Sequence, residues 1–542
     1  MGLQISKGMT MRDFHQPGRS AVYAAGAMAA TSMPVATLAA LDALRAGGNA
    51  LDAAVTAAAL LGVVEPQSTG IGGDCFCLYA PAGSSEVIAL NGSGRAPAAA
   101  TIDHYESHGI TTLDATSPHG VTIPGAIGAW ETLLEAHGRR GLAAALAPAI
   151  HYAEEGFAVS PRVAHDWALA EDKLRRTGAA ALLPHGKAPR LGTILRQPEL
   201  AATLRSIASH GARGFYEGEV AAAMVAELRV RGGLHTEADF AEGRTAAKFV
   251  TPIRRDFDGL TIWECPPNGS GLLALMLLGI LEGFGPAPDG PLGPIRVHRH
   301  IEAARLVYRD RDALLADPDQ SPVPVDHLLS DDYLAALRQL IDDDRAMTDL
   351  PRAAEALLPA HRDTVYLCVV DAEGNACSFI NSTFESFGSG ILAGDTGVIL
   401  HNRGLGFALE RGHPNCIAPR KRPMHTIIPA MATQGGRAIM PFGVMGGHYQ
   451  PMGQAWFLTN LRHYGLDIQQ SLDLPRVFPY AGQVELEPTF PQATVDGLIR
   501  RGHSVITTRR PHGGGQAILI DRAQGVLIGG SDPRKDGCAM GY

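Results

Sequence analysis

Apolar positions early in the chain recur at helical spacing. Pro34 to Ala46 reads as a helix with proline in its first turn, stopped by Gly47-Gly48. Asn49 then caps a second helix, rich in Ala, Leu and Val, that reaches about Leu61. The period changes after Glu65-Pro-Gln-Ser-Thr-Gly-Ile-Gly-Gly73, a turn-rich loop. Short apolar runs at Cys75 to Ala80 and Val87 to Leu90 suit a hairpin. From about 120 to 350 the pattern is mostly helical, including His298 to Leu315.

Near residue 342 the pattern changes again. Asp342 to Asp363 is charged and Ala-rich, holds Pro351 and Pro359, and lacks a sustained apolar period, as expected of an exposed connector. Two strands follow, Val365 to Val370 and Ala376 to Ser382, around the turn-forming Asp371-Ala-Glu-Gly-Asn375. The first is apolar on both faces, so it belongs inside a layered structure. Gln454 to His463 and Ala493 to Arg501 read as helices, and Ala517 to Ile520 with Val526 to Ile528 as a closing hairpin. Strands in both halves, separated by helices, predict two sheets with helices outside: one interleaved αββα unit of the α/β (α+β) class.

Composition adjusts this picture only slightly. A chain of 542 residues exceeds the usual reach of one growing core, although nearly half of it is apolar. The net charge of −9 is spread along the sequence, and no basic stripe points to nucleic acid. Seven cysteines without disulfide-scaffold spacing suggest a reducing compartment and buried small hydrophobes, and no Cys/His set completes a zinc site. Ser20 to Leu41 lacks charge, but Pro34 and its many small polar residues argue against a signal peptide or membrane helix. The expectation is a cytoplasmic protein with no membrane partner. Met1-Gly2 with Ser6 fits a myristoylation pattern too loose to change it.

Thr364 stands where the connector meets the strand. As a residue it reads either as a strand-initiating threonine or as a nucleophile. Were the Asp363-Thr364 bond cut, its own α-amine, with a reference pKa of about 7.7–8.0, would serve as base.

Several blocks in fixed order decide between those readings. Gly47-Gly-Asn-Ala-Leu-Asp-Ala-Ala54, Ser68-Thr-Gly-Ile-Gly-Gly73, Thr364 with Val369-Val-Asp371 and Gly374-Asn375, Phe387-Gly-Ser-Gly390, Lys421-Arg-Pro423, Gly446-Gly447 and Asp532-Pro-Arg534 resemble those of the γ-glutamyltranspeptidase family of N-terminal-nucleophile hydrolases. The resemblance implies a precursor, or zymogen, that cuts itself before Thr364. It implies a large segment, 1–363, and a small one, 364–542, that stay associated in a four-layer αββα sandwich. It places Gly446-Gly447 at the oxyanion hole, where glycines let backbone N–H groups approach a developing charge. Ser382 matches a supporting hydroxyl, with an ordinary strand serine as the alternative. Asn375 reads as a turn residue.

The positions that would grip a γ-glutamyl group depart from the family pattern. The carboxylate-pairing arginine aligns with Ser93, although Arg95 lies two residues away; an asparagine position is Phe384; and the amino-group receptors align with Arg403 and Gly406. The serine pair near the oxyanion region aligns with His425-Thr426. Exchanging an acid for a cation favours a carboxylate over an ammonium. The changes resemble the divergent branch that includes glutaryl-cephalosporin acylase-like proteins and oxamate amidohydrolase. The expected activity is hydrolysis of a small amide whose acyl part carries a carboxylate, with Arg403 as its anchor or, alternatively, in a structural ion pair. His425 reads better as a satisfied core histidine than as a pocket hydrogen-bonder. Arg95, Phe384 and Thr426 complete the candidate substrate site. No cofactor or metal is expected, and a homo-oligomer is possible. The competing expectations are a γ-glutamyltransferase or glutathione hydrolase with a rebuilt pocket, and a binding protein without catalysis.

Overall fold

A computed structural model describes His15 and residues 18–348 and 364–542. Most of the connector, with Asp363, lies outside the described residues. Its described beginning is docked rather than wholly exposed: Ala346 is buried and donates its N–H to the Arg501 carbonyl at 2.7 Å.

The first helix spans Pro34–Arg45, with proline in its first turn. The second, Ala50–Val64, is buried along its whole length, which its nearly all-apolar sequence allows. Asn49 and Asp52 close a capping box at its start. Asp371 reinforces that start by accepting the Ala50 N–H at 3.0 Å, and the same carboxylate takes the Asn375 side chain at 2.8 Å. The early family-like block and the 371–375 turn thus form one capping unit.

Two seven-stranded antiparallel sheets form the centre. In one, the order is Cys538–Gly541, Met28–Thr31, Val365–Val370, Ala376–Ser382, Asp74–Ala80, Ile88–Gly92 and Lys248–Val250. In the other it is Val22–Ala24, Val526–Ser531, Gly514–Asp521, Arg437–Met445, Ala430–Gln434, Leu260–Glu264 and Ile253–Phe257. Each sheet draws strands from both sides of Thr364.

The two-faced strand 365–370 shows why a sandwich results. Val365, Leu367 and Val369 join the core formed with the N-terminal helices. Tyr366, Cys368 and Val370 join a core shared by the two sheets, with Met431, Met445 and Ile518. A third core packs helices such as Gly271–Glu282 and Gln450–His463 on the outer face of the second sheet. The layers are therefore helix, sheet, sheet, helix.

Two expectations need correction. The irregular start contains the strands Val22–Ala24 and Met28–Thr31, and the helical middle contains Lys248–Val250, Ile253–Phe257 and Leu260–Glu264. The first two are short and Ala-rich, and they form through pairing with residues some 500 positions away, such as Val22 with Gly529 and Met28 with Gly541. Local propensity carries little of that information.

Candidate active site

Thr364 opens its strand fully buried, directly opposite the last residue of the neighbouring strand. Its Oγ1 lies 3.1 Å from the Ser382 Oγ. Ser382 pairs in turn with Asp74 across the next strand, and its Oγ accepts the Phe384 N–H at 2.9 Å. Asn381, beside Ser382, donates to the Thr69 hydroxyl at 2.8 Å and the Gly70 carbonyl at 3.1 Å. These bonds tie the Ser68–Gly73 loop to the strand end, so the loop shapes the site.

Phe384 holds φ at +77°, a left-handed conformation costly for an aromatic residue. Its ring carries the Arg403 guanidinium 4.2 Å above its centroid. Arg403 is fully buried and donates one bond, from Nη1 to the Thr426 hydroxyl at 2.9 Å. Its Nε and Nη2, which form one edge of the fork, have no hydrogen-bond partner among the described residues. Burial lowers its pKa to about 9, opposed by Asp74, so the side chain remains a cation at neutral pH.

Sequence reasoning missed the residue that balances this cation. Asp74, buried at the start of an otherwise apolar strand, lies 3.9 Å from the Arg403 Nε. Its Oδ1 accepts the N–H groups of Gly94 and Gly125, each at 3.0 Å, and its Oδ2 accepts from the His425 Nε2 at 2.9 Å. Burial alone would raise its pKa. The neighbouring His401, His425 and Arg403 outweigh burial and hold the carboxyl at about 2. A lone acid at the head of an apolar strand was the available signal, since a buried charge requires partners.

His425 is a satisfied core histidine. Its ring sits 4.8 Å from that of Phe76, and burial, helped by Arg403, lowers its pKa to about 3 despite the bond to Asp74. It is therefore neutral at pH 7. His401, also missed, donates from Nε2 to the Thr122 carbonyl at 2.8 Å and turns Nδ1 toward Asp74 at 3.5 Å.

Gly446 and Gly447 end the strand Arg437–Met445 and lead into the helix Gln450–His463. Their φ values of +125° and +59° suit glycine, and a Cβ on Gly446 would stand 2.8 Å from the Gly513 Cα. The turn reaches the site through His448, whose ring meets that of Phe384 edge-on at 6.4 Å. It is also tied to the 425–428 segment, because the Gln450 side chain accepts the Ile428 N–H at 3.1 Å.

Thr364, Ser382, Phe384, Arg403, His425, Thr426 and the glycine pair are thus linked by contacts and short connections. Arg95 belongs elsewhere. Its guanidinium pairs with Asp319 at 3.0 Å, reaches Asp317 at 3.7 Å and donates to the Arg420 carbonyl, in a separate cavity of about 340 Å³. As a substitute carboxylate anchor it is already engaged.

The profile of the family described as Gamma-glutamyltranspeptidase matches residues 36–542. The chain is 36% identical to a glutathione hydrolase-like YwrD proenzyme of Bacillus subtilis, over 91% of this chain and 94% of that one. It is 34% identical to an oxamate amidohydrolase proenzyme of Klebsiella pneumoniae, over 95% and 98% of the two chains. Among solved structures, a cephalosporin acylase from Bacillus halodurans superposes with a TM-score of 0.90 at 39% identity, covering 99% of both chains.

Proposed function

Because this chain belongs to the γ-glutamyltranspeptidase family and is an N-terminal-nucleophile amidohydrolase, we propose that it cleaves itself between Asp363 and Thr364. We further propose that the product hydrolyses small amides whose acyl part carries a carboxylate and no amino group. The segments 1–363 and 364–542 remain together in this reading. The Thr364 hydroxyl attacks the amide carbonyl and passes its proton to the residue's own α-amine. N–H groups of Gly446 and Gly447 stabilise the oxyanion, and one such donor is worth about 2.7–4 kcal/mol. The C–N bond breaks, the amine leaves with the proton, and water then hydrolyses the ester on Thr364. Ser382 orients the nucleophilic oxygen.

One observation carries the choice of substrate: the buried Arg403 keeps its Nε–Nη2 edge without a hydrogen-bond partner among the described residues. Two parallel N–H groups match a carboxylate, while an α-ammonium would meet a cation. The oxamate amidohydrolase and cephalosporin acylase relatives support the same reading.

Kinetics over a series of dicarboxylic monoamides, oxamate included, test it. Arg403→Lys should lower kcat/KM for these substrates by at least about tenfold, with a much smaller effect on uncharged acyl amides. Thr364→Ala should leave one band on a denaturing gel where the parent gives two. Equal turnover of γ-glutamyl-p-nitroanilide and the best monoamide would return the substrate to the γ-glutamyl class. Ligand binding without turnover by the parent would make the chain a binding protein.

A further inference from the structure

Away from Thr364, three metal-ligating side chains meet in the interior. His298 and Glu302 stand one turn apart on the helix Pro294–Leu314, and His503 follows the helix Gln492–Arg500. All three are buried, and one ligand atom from each lies within 4.8 Å of the others. We propose that His298, Glu302 and His503 bind a zinc ion that clips the part of the chain before Thr364 to the part after it.

The donor set is two imidazoles and a carboxylate, which suits zinc with a fourth position for water. The surroundings are those of a supported ligand set. The His298 Nε2 donates to the Asp342 carbonyl at 2.8 Å, which fixes the tautomer and leaves Nδ1 as a lone pair facing the cluster. The Glu302 carboxylate is fully buried and oriented by the Met347 N–H at 2.8 Å and Arg305 at 2.7 Å.

The His298 Nδ1 and the His503 Nε2 are 2.7 Å apart and share a hydrogen bond. Zinc–nitrogen bonds of about 2.0–2.1 Å at a tetrahedral angle separate two nitrogens by about 3.3 Å, so the rings must part by roughly half an ångström. The His503 proton must also move from Nε2 to Nδ1, which leaves the ring neutral. Nearby cations are already engaged: Arg305 on Glu302, Arg299 on Asp343 at 2.6 Å, and Arg501 on the Asp343 carbonyl at 2.7 Å.

The place gives the ion a purpose. Asp342, Ala346 and Met347, in the described beginning of the connector, are all bonded to this cluster or its neighbours. An ion here would fix that departure point against the last helix. The site involves neither Thr364 nor Arg403, so it stands independently of the proposed reaction.

The test loads the full chain, stripped with EDTA, with Zn²⁺ or Co²⁺ alone. One zinc per chain should survive dialysis, Co²⁺ should give the intense visible bands of a four-coordinate site, and Tm should rise with zinc. His503→Ala should lose all three responses. Should that variant not fold, Glu302→Gln decides the matter, because it retains an acceptor for the Met347 N–H while losing the charged ligand. Sub-stoichiometric metal in the parent, or equal binding by either variant, would overturn the site and leave a hydrogen-bonded histidine pair.

Discussion

Arg403 and Asp74 carry opposite charges into a space from which water is largely excluded, and neither completes the other. Asp74 spends its acceptors on two backbone N–H groups and His425, while Arg403 spends one donor on Thr426. The arrangement fixes the cation without filling its fork. It also makes the site acid-sensitive. His425 has its pKa lowered to about 3, so the unfolded chain takes up a proton near pH 6.5 that the folded one refuses. That contribution to stability is complete above about pH 6.5 and falls as pH drops toward 3. Asp74 is held at about 2 against an ordinary 3.8, so its contribution is present above about pH 4 and is lost as pH falls toward 2. Between pH 6.5 and 5, His425 alone should cost about 2 kcal/mol. Urea midpoints across that range should fall for the parent and fall less steeply in His425→Gln, where the other buried histidines still contribute; an unchanged slope would assign the loss to those groups.

At the scale of elements, the turn after Arg437–Met445 joins sheet to helix through two glycines of positive φ. Gly446→Ala should push the backbone against Gly513, displace the donors and lower kcat by about a hundredfold or more. Steady-state kinetics with a circular dichroism check separates this from misfolding, and an unchanged kcat would remove the turn from catalysis. Such elements differ in how far sequence reveals them. The strands 365–370 and 376–382 stand at their expected limits because both period and turn chemistry are local. The helix Gln450–His463 begins four residues earlier than its apolar period suggests, since Pro451 occupies the first turn and Gln450 turns inward to Ile428. Short strands such as Met28–Thr31, which lies between Cys538–Gly541 and Val365–Val370, escape notice because their partners supply the stability. The same holds for the candidate site: Thr364 stands in an ordered block, Ser382 at a matching position, and Phe384 and Arg403 at departures from the family pattern, whereas Asp74 and His401 matter only once distant glycines and Thr122 surround them.

Over the whole molecule, both sheets interleave strands from before and after Thr364. Cutting one bond at that point leaves every described strand pairing intact. The two pieces should therefore elute as one species on native size exclusion and separate only in denaturant, and 364–542 expressed alone should not fold. Dissociation of cleaved protein on simple dilution would contradict this. Even-numbered residues from Tyr366 to Val370 face the space between the sheets, and odd-numbered ones face the helices. Thr364 shares the even parity, as does Ser382 with Ile380 beyond it. The side on which the Thr364 hydroxyl stands is thus set by arithmetic along the strand: one residue gained between 365 and 370 would turn that hydroxyl to the opposite side and put Val365 in its place, with composition almost unchanged.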